Sequence, residues 1–288
     1  MTKEKIKLNL GASPIWRKEG WVALDHKLKR STDNAIAGDA MNMDLPDNSC
    51  AIVFCSHVLE HIPHCKLPMV IAEVNRVLMP GGIFRVLTPD LEIACKAYVG
   101  RDKDFFRKAK EEDESLRNDL GLGGMLMNFI VSPGQDTILL DRGMKEFIGG
   151  YAHLYSYDYE MLSTMLKKIG FSCVRSPFNG SCVKEMQEPL HVSHLPGVWQ
   201  NFNQKFYARN KLVHRLVNGK YEINFNVTGF DRDPLVSLII EAKKKSFVTK
   251  EDANKLFNES VKNYNRYARS LLRDKEVVRK LKKMKIKY

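Results

Sequence analysis

The sequence predicts an α/β protein whose core is a mostly parallel sheet, and three observations support this class. Short apolar runs that end at Gly or Asp recur along the first 90 residues. Residues 51–55 form a continuous apolar run, as found in fully buried parallel strands. Residues 66–78 carry apolar side chains at spacings of three and four, which is typical of a helix linking two parallel strands.

The remaining elements follow from the same two periodicities. A second helix is expected over 157–169 and ends at Gly170, while Pro80, Gly81 and Gly82 should end the helix over 66–78. The predicted strands are 6–10, 21–24, 35–37, 51–55, 83–87, 171–174 and 235–242. Strands separated by helices in this way predict right-handed parallel crossovers.

The first two crossovers are too short for ordinary helices. Only residues 11–20 join the first two strands, and only residues 26–34 join the next pair. Because a crossover usually needs about a dozen residues or more, one face of the sheet should lack its usual helices here. We expect a later segment or a second subunit to cover that face.

One α/β domain is expected over 1–246, with insertions at about 98–150 and 176–231, followed by a helical extension over 247–288. The extension starts with a capping-box pattern at Thr249-x-x-Asp252 and continues with a heptad-like apolar stripe. Residues 243–288 hold 16 Lys/Arg and 5 Asp/Glu, a charge of +11, whereas the preceding residues carry +1. This basic amphipathic helix either packs on the body or on a second copy in a homodimer, or contacts nucleic acid.

The composition indicates a cytoplasmic protein without a membrane anchor. No apolar run approaches the roughly 20 residues needed to span a bilayer. The N-terminal residues contain no signal-peptide h-region. The six cysteines form no CxxC pair, so free thiols in a reducing compartment explain them best.

The candidate ligand-binding residues follow the predicted strands. Gly11, Ala12 and Ser13 come directly after the first strand, where an open α/β sheet binds its ligand and small residues allow close approach. Asp25 ends the second strand and is placed to accept hydrogen bonds from a ribose diol. Later segments in the same order are Gly38-Asp39-Ala40, Leu45 to Val53, Ser56 to Ile62, and Leu78 to Gly82.

This succession resembles the class I S-adenosylmethionine-dependent methyltransferases of the methyltransferase-11 type over residues 6–90, and 152–171 resembles the family's later helix and strand. The resemblance implies a Rossmann-like, mostly parallel sheet of seven strands and S-adenosyl-L-methionine as the cofactor. It implies that Gly11, Ala12 and Ser13 contact the amino-acid end of the cofactor. At position 13 this sequence departs from the family, which usually has a second glycine there.

The resemblance also assigns the rest of the pocket. Asp25 would bind the ribose, Asp39 the adenine amino group, and Ala40 the adenine ring through its backbone. Ser56 and His57 would line the pocket beside the reactive methyl group.

Methyl transfer needs alignment of three atoms and, for an alcohol acceptor, removal of a proton. His57 is the first candidate base because it follows the fourth strand, although it can equally be a lining residue. Asp90 and His153 are further catalytic candidates. Alternatively, Asp90 caps the helix that starts at Leu91, and His153 is an ordinary hydrogen-bonded residue.

The sequence from His57 through Glu60 to His61 also matches H-x-x-E-H, a zinc-protease motif, and His64 and Cys65 follow it closely. Two histidines at i and i+4 of a helix can bind zinc. Here the motif emerges directly from a predicted buried strand, so we expect no metal and expect Glu60 and His61 to fix the loop.

The sequence indicates the methyl acceptor less clearly than it indicates the cofactor. A nicotinamide enzyme would need a full G-x-G-x-x-G after the first strand, which this sequence lacks. The loop Ser56–Leu59 lacks the Asn/Asp-Pro-Pro-aromatic pattern of base amino methyltransferases, so a nucleic-acid acceptor is an alternative that rests on the basic tail. A non-catalytic binding module is another alternative.

The favoured function is O-methylation of a sugar, glycan or small metabolite, since relatives of this trimmed type look like enzymes of glycan and small-metabolite biosynthesis. The two insertions would form the acceptor pocket, because loops over the carboxyl edge of a sheet carry specificity. Alternatively, their aromatic and histidine residues form a satellite core. These residues are Tyr151, Tyr155, His191, His194 and Trp199.

Overall fold

The computed structural model describes most of the predicted core. It covers residues 5–14, 16–106, 121–131, 153–177, 180–187, 215–217, 220–222, 236–249 and 251–253, and separate positions from 255 to 279. Among these residues, no helix is both long and apolar enough to cross a membrane.

The described chain contains nine strands, five α-helices and three short 3₁₀ turns. The strands are β1 (Ile6–Leu10), β2 (Val22–Asp25), β3 (Ala35–Ala37), β4 (Cys50–Ser56), β5 (Leu78–Pro89), β6 (Phe171–Arg175), β7 (Arg215–Val217), β8 (Lys220–Glu222) and β9 (Ser237–Lys244). The α-helices are α1 (Leu67–Val77), α2 (Leu91–Val99), α3 (Lys103–Phe106), α4 (Gly121–Val131) and α5 (Tyr159–Lys168). The 3₁₀ turns are Leu59–His61, His64–Lys66 and Lys184–Met186.

Seven strands form one sheet in the order β3-β2-β1-β4-β5-β9-β6. The strands from β3 to β5 are parallel, and β9 runs antiparallel to both β5 and β6. This arrangement confirms the predicted mostly parallel, seven-stranded sheet. The strand order reverses between β1 and β4, which is where open α/β sheets leave a crevice for a ligand. Strands β7 and β8 form a separate antiparallel pair.

Side chains alternate between the two faces of the sheet, as the pleat requires. On one face, residues such as Leu8, Leu10 and Val53 join the large apolar core with α1 and α5. On the other face, Ile52 and Phe54 belong to a second apolar cluster.

The trimmed crossovers are present. The described residues between β1 and β2, and those between β2 and β3, form no helix. The uncovered face is packed instead by Trp16 and Trp21 from the first connection and by the fully buried Met186 from segment 180–187. A salt bridge between Lys7 and Glu185 at 2.8 Å fastens the same segment to β1. A later segment therefore covers this face, as the short crossovers predict.

The helix predicted over 66–78 ends at Val77, as expected, but the start of the next strand was predicted wrongly. The strand expected over 83–87 starts at Leu78, and the register with β4 shifts there so that a bulge accommodates Met79 to Gly82. The glycine-rich stretch 121–124 starts α4. Leu122 is buried with Phe105 and Phe106, so packing overrides the low helix propensity of glycine.

The predicted insertions and extension are described only in part. Helices α3 and α4 fall within the first insertion, whereas most of 176–231 and the apolar stripe of the extension (257, 261, 264, 268 and 271) lie outside the described residues. The predicted cap is present, because the backbone N–H of Asp252 donates to Thr249 Oγ1 at 3.1 Å. The division of the chain into domain and extension stays a prediction.

Candidate active site

A cleft of about 620 Å³ lies at the carboxyl ends of β1, β2 and β4. Of the eight residues predicted to bind the cofactor, seven line it: Gly11, Ser13, Asp25, Asp39, Ala40, Ser56 and His57. The eighth, Ala12, is buried in the apolar cluster below the cleft with Trp16 and Trp21. We call this space the cofactor cleft.

The turn after β1 shapes the floor of the cleft. Gly11 has a φ of 71°, and its N–H donates to the carbonyl of Leu24 at 2.7 Å. A Cβ atom on Gly11 would lie 2.3 Å from a methyl carbon of Val58, so only glycine fits. Ser13 is also left-handed, at φ 69°, and its N–H donates to Asp25 Oδ2 at 2.9 Å.

Asp25 accepts hydrogen bonds from both of the loops that flank β2. Its side chain is buried, and Oδ1 accepts the N–H of Lys27 at 2.8 Å while Oδ2 accepts that of Ser13. A carboxylate has about four acceptor positions. Two amide bonds therefore leave Asp25 able to accept further hydrogen bonds from a ligand in the cleft.

The opposite side of the cleft is formed by the loop after β3. Asp39 is exposed, and its Oδ1 accepts the N–H of Met41 at 2.8 Å, which fixes the turn. Ala40 is half-buried and packs on the main core, so its backbone faces the cleft from a fixed position.

Ser56, the last residue of β4, has a buried hydroxyl oxygen with no hydrogen-bond partner among the described residues. A buried polar atom without a partner costs about 1–3 kcal/mol. Because Ser56 lines the cofactor cleft, a polar ligand there would remove this cost.

His57 is held by three hydrogen bonds in a left-handed conformation, φ 53°. Its backbone N–H donates to Leu87 at 2.9 Å. Its ring nitrogens contact Glu60 Oε1 at 3.0 Å, through Nδ1, and Ser237 Oγ at 3.1 Å, through Nε2. The ring is therefore oriented from both sides at the wall of the cleft.

Glu60 is fully buried behind His57. Burial alone would raise the pKa of this carboxyl group, but the hydrogen bond and charge of His57 and the charge of His61 outweigh it and lower the pKa. Its Oε2 also accepts a hydrogen bond from Thr88 at 3.3 Å. Glu60 was predicted only to fix the loop, and Ser237 was not predicted at all.

Asp90 lies apart from the cofactor cleft. Its fully buried carboxylate accepts the N–H groups of Glu92, at 2.9 Å, and Ile93, at 3.3 Å, and forms a salt bridge with Arg175. It is thus the N-cap of α2, which was the alternative to a catalytic role. It borders a second cavity of about 260 Å³, which Ser237 also lines.

His153 packs against His61, with ring centroids 5.0 Å apart. Its Nδ1 lies 3.2 Å from the carbonyl oxygen of Phe129 in α4, and burial lowers its pKa. The H-x-x-E-H pattern does not form a helical pair of histidines, because His57 follows β4 in a left-handed conformation while His61 lies in a 3₁₀ turn. His61 instead approaches His153.

The predicted acceptor residues are mostly outside the described chain. Tyr155 is described and stacks on His64, with centroids 4.1 Å apart. Tyr151, His191, His194 and Trp199 lie outside the described residues.

Comparison with known proteins agrees with this geometry. Residues 19–86 match a family model described as a methyltransferase domain. A sterol 24-C-methyltransferase of Gibberella zeae is 34% identical over 104 residues, which is 36% of this chain and 24% of that protein. The chain thus spans about a quarter of the curated relative that it matches.

Two solved methyltransferases are similar to this chain at low sequence identity. An S-adenosylmethionine-dependent methyltransferase from Mesorhizobium loti is 13% identical with a TM-score of 0.37, covering 83% of this chain and 90% of that one. One from Archaeoglobus fulgidus is 14% identical with a TM-score of 0.37, covering 83% and 86%. TM-scores below 0.5 are too low to assign a function.

The match over residues 19–86 to a methyltransferase domain and the seven-stranded, mostly parallel sheet agree with the resemblance given by the sequence.

Proposed function

We propose that this protein transfers a methyl group from S-adenosylmethionine to an oxygen of a small acceptor, with a hydroxyl of a sugar or sugar-linked molecule as the acceptor class. The observation that carries the proposal is the clustering of seven predicted cofactor-binding residues around one cleft at the switch point of the sheet. Each part of the cleft offers what a different part of the cofactor needs.

The residues present fit the cofactor. Asp25 has acceptor positions left for a ribose diol, and the absence of a side chain at Gly11 opens the floor for close approach. The unpartnered hydroxyl of Ser56 would gain a hydrogen-bond partner from the cofactor's polar groups. When bound, the cofactor supplies a methyl group on a positively charged sulfur, which makes that carbon electrophilic.

His57 is the residue that we propose to accept the acceptor's proton. Glu60 holds Nδ1, so the ring has a fixed orientation with a carboxylate behind it. Nε2, now 3.1 Å from Ser237, is the nitrogen that remains for a proton from the acceptor. This arrangement matches a general base oriented by a buried carboxylate.

The second cavity supports a polar acceptor. It lies on the far side of Ser237 and is lined by charged residues, including Asp90, Lys96 and Arg175. Such groups can form hydrogen bonds with a hydroxyl-rich molecule in addition to the ion pairs Asp90–Arg175 and Lys96–Glu92. Asp90 therefore acts at this acceptor cavity, not as the base.

A nucleic-acid acceptor is the second candidate, because residues 243–288 carry +11. A cytoplasmic location is also proposed, since all six cysteines are free thiols.

The first experiment is calorimetric titration of the full chain with S-adenosylmethionine and, separately, with NAD. We expect binding of S-adenosylmethionine alone. Asp25→Asn should weaken it at least about tenfold, because a hydrogen bond to a charged group contributes about 1.5–3 kcal/mol. Asp33→Asn, which changes an exposed carboxylate outside the cleft, is the matched control.

Methyl transfer is then measured with labelled cofactor on sugars, nucleotide sugars, glycans and RNA. We expect labelling of a sugar-containing acceptor, and a lower kcat for His57→Gln at unchanged cofactor affinity. Absence of cofactor binding would exclude the enzyme function. Cofactor binding without labelling of any acceptor would favour the non-catalytic module, and labelling of RNA alone would favour the second candidate.

A further inference from the structure

A cluster of three ionisable side chains lies beside the cofactor cleft, and one of them, Glu60, also orients His57. Glu60 and His61 come from the turn after β4, and His153 comes from the segment before α5. One potential ligand atom from each of the three residues lies within 4.8 Å of the other two. We propose that Glu60, His61 and His153 bind one divalent transition-metal ion.

The donor set suits such an ion. Two imidazoles and one carboxylate are typical ligands of Zn²⁺, Mn²⁺, Fe²⁺ and Co²⁺, whereas Mg²⁺ and Ca²⁺ prefer oxygen ligands alone. Ligands about 2.0–2.2 Å from one ion lie at most about 4.3 Å apart. In a tetrahedral site the ligand atoms lie about 3.4 Å apart, so the three side chains need to approach one another by at most about 1.4 Å.

The surroundings of the cluster hold the ligands in the orientation that binding needs. The carbonyl of Phe129 accepts a hydrogen bond from His153 Nδ1, so the lone pair of that ring lies on Nε2. His57 and Thr88 each bond one oxygen of the Glu60 carboxylate, whose remaining acceptor positions can serve the ion. Metal-binding histidines and carboxylates usually have outer partners of this kind.

The backbone also brings the two parts of the cluster together. The N–H of Leu154, next to His153, donates to the carbonyl oxygen of Glu60 at 2.7 Å. This bond fixes the spacing between the turn and the later segment before any ion binds. The side chain of Glu60 is buried, while those of His61 and His153 are half-buried, so the site is sheltered but reachable.

The cluster differs from the zinc motif in the sequence. The spacing H-x-x-E-H suggested His57 and His61 as a pair, and its position after a strand argued against any metal. The structure engages both ring nitrogens of His57 with Glu60 and Ser237. The second histidine of the cluster is instead His153, 92 positions along the chain from His61.

The ion would lie at the wall of the cofactor cleft, because His61 lines that cleft together with Ser56 and His57. Three protein ligands leave open positions on an ion, as in catalytic metal sites. An acceptor hydroxyl bound there loses its proton to His57 Nε2 and forms the new bond to the methyl carbon. The carbon–sulfur bond breaks and its electron pair stays on sulfur. This role rests on the proposed function, whereas binding of the ion does not.

The test uses the full chain without an affinity tag, stripped with a chelator and titrated with Co²⁺ by visible absorption and calorimetry. We expect one Co²⁺ per chain. His61→Gln and His153→Gln should each weaken binding at least about tenfold, since even outer partners of a metal site contribute 10–100-fold. His64→Gln is the control, because His64 is a half-buried neighbour that does not belong to the cluster.

Affinity for S-adenosylmethionine in the presence of chelator is measured for every variant. His153→Gln should keep the wild-type cofactor affinity, which shows that the fold is intact. No stoichiometric Co²⁺ on the wild type, or equal binding by His153→Gln, would overturn the metal site. Ion binding without cofactor binding would leave the metal site standing and remove the proposed methyl transfer.

Discussion

Ser13 and His57 both line the cofactor cleft, and both have backbones in the left-handed region. That region costs a residue with a side chain roughly 1–2 kcal/mol. Each residue is held there by hydrogen bonds, Ser13 to Asp25 and His57 to Leu87. Strain at ligand sites of this kind persists only where neighbouring contacts determine the conformation.

The first prediction concerns Ser13, where the family usually has glycine. Ser13→Gly should change the free energy of unfolding by less than about 1 kcal/mol, because relief of strain is offset by the greater freedom of the unfolded chain. Ser13→Val should lower that free energy by about 1–2 kcal/mol, since a β-branched residue fits the left-handed region worst. Chemical denaturation measures both.

Measuring cofactor affinity distinguishes a variant that only strains the backbone from one that also disturbs the cofactor cleft. Ser13→Val should also weaken S-adenosylmethionine binding, because the same turn forms the floor of the cleft. Gly20→Ala is the matched control: Gly20 has a φ of 74°, and no atom lies within 4 Å of an added Cβ. It should lose stability but keep its cofactor affinity. Equal S-adenosylmethionine affinity for the wild type and the three variants, Ser13→Gly, Ser13→Val and Gly20→Ala, would contradict the placement of Ser13 at the cofactor.

At the scale of elements, β5, β9 and segment 180–187 meet at a buried ion pair. Arg85 on β5 and Glu241 on β9 are register partners, and Arg85 Nη1 donates to Glu241 Oε1 at 2.9 Å. The same carboxylate accepts hydrogen bonds from the hydroxyl of Ser181 and from the N–H of Cys182. One charged group thus fastens the covering segment to the sheet in place of a crossover helix.

The pH dependence of stability follows from this carboxylate. Burial would raise the pKa of Glu241, but the bonds from Ser181 and Cys182 and the charge of Arg85 outweigh it, so the pKa is lowered. A group whose pKa is lower in the folded state contributes stability above its unfolded pKa of about 4.3. That contribution is lost as the pH falls through the folded value.

Glu241→Gln should therefore be destabilised most at neutral pH, by about 3–5 kcal/mol, because it leaves the buried Arg85 without its countercharge. The difference in unfolding free energy between wild type and variant should shrink as the pH falls from about 6 to 3. Urea denaturation across that range measures it. Glu251→Gln, at an exposed position, should show a much smaller difference, and a pH-independent difference for Glu241→Gln would exclude this carboxylate as the titrating group.

The elements show which parts of the fold the sequence determines locally. The bounds of β1 and β3 agree with the prediction, and α1 differs by one residue at each end, because apolar periodicity records burial directly. The start of β5 was missed because a bulge lets Pro80 and Gly81 remain in a strand. The direction of β9 was not predictable, since an apolar run has the same pattern in either direction.

The candidate site also contains residues that the local sequence predicts and residues that only long-range packing brings together. The residues after β1, β2 and β4 were predictable because parallel strands bring their carboxyl ends to one edge. Ser237 was not, since it reaches His57 across 180 positions of sequence with no local motif. The carbonyl of Phe129 and the side chain of Arg175 were missed for the same reason: their partners are set by how α4 and β6 pack.

For the whole molecule, the distribution of charge separates the catalytic body from the basic extension. The extension is joined to the core at its start, where Val248 and Leu256 pack on the main apolar cluster and Ala253 is buried. Residues 258–288 hold 11 Lys/Arg and 3 Asp/Glu, so removing them lowers the net charge from +12 to +4. Contacts with phosphate backbones depend on such charges, whereas binding in the cofactor cleft does not.

Deletion of 258–288 should therefore leave the melting temperature and S-adenosylmethionine affinity of the full chain nearly unchanged. Affinity for RNA in low salt should fall at least about tenfold, with a weaker dependence on salt concentration, because fewer counterions are released. A full-length variant with glutamine at Lys280, Lys282, Lys283 and Lys285 is the control that removes charge without removing chain. Methyl transfer to a sugar acceptor should survive both changes. Loss of that transfer in the charge variant would show that the extension takes part in binding the acceptor.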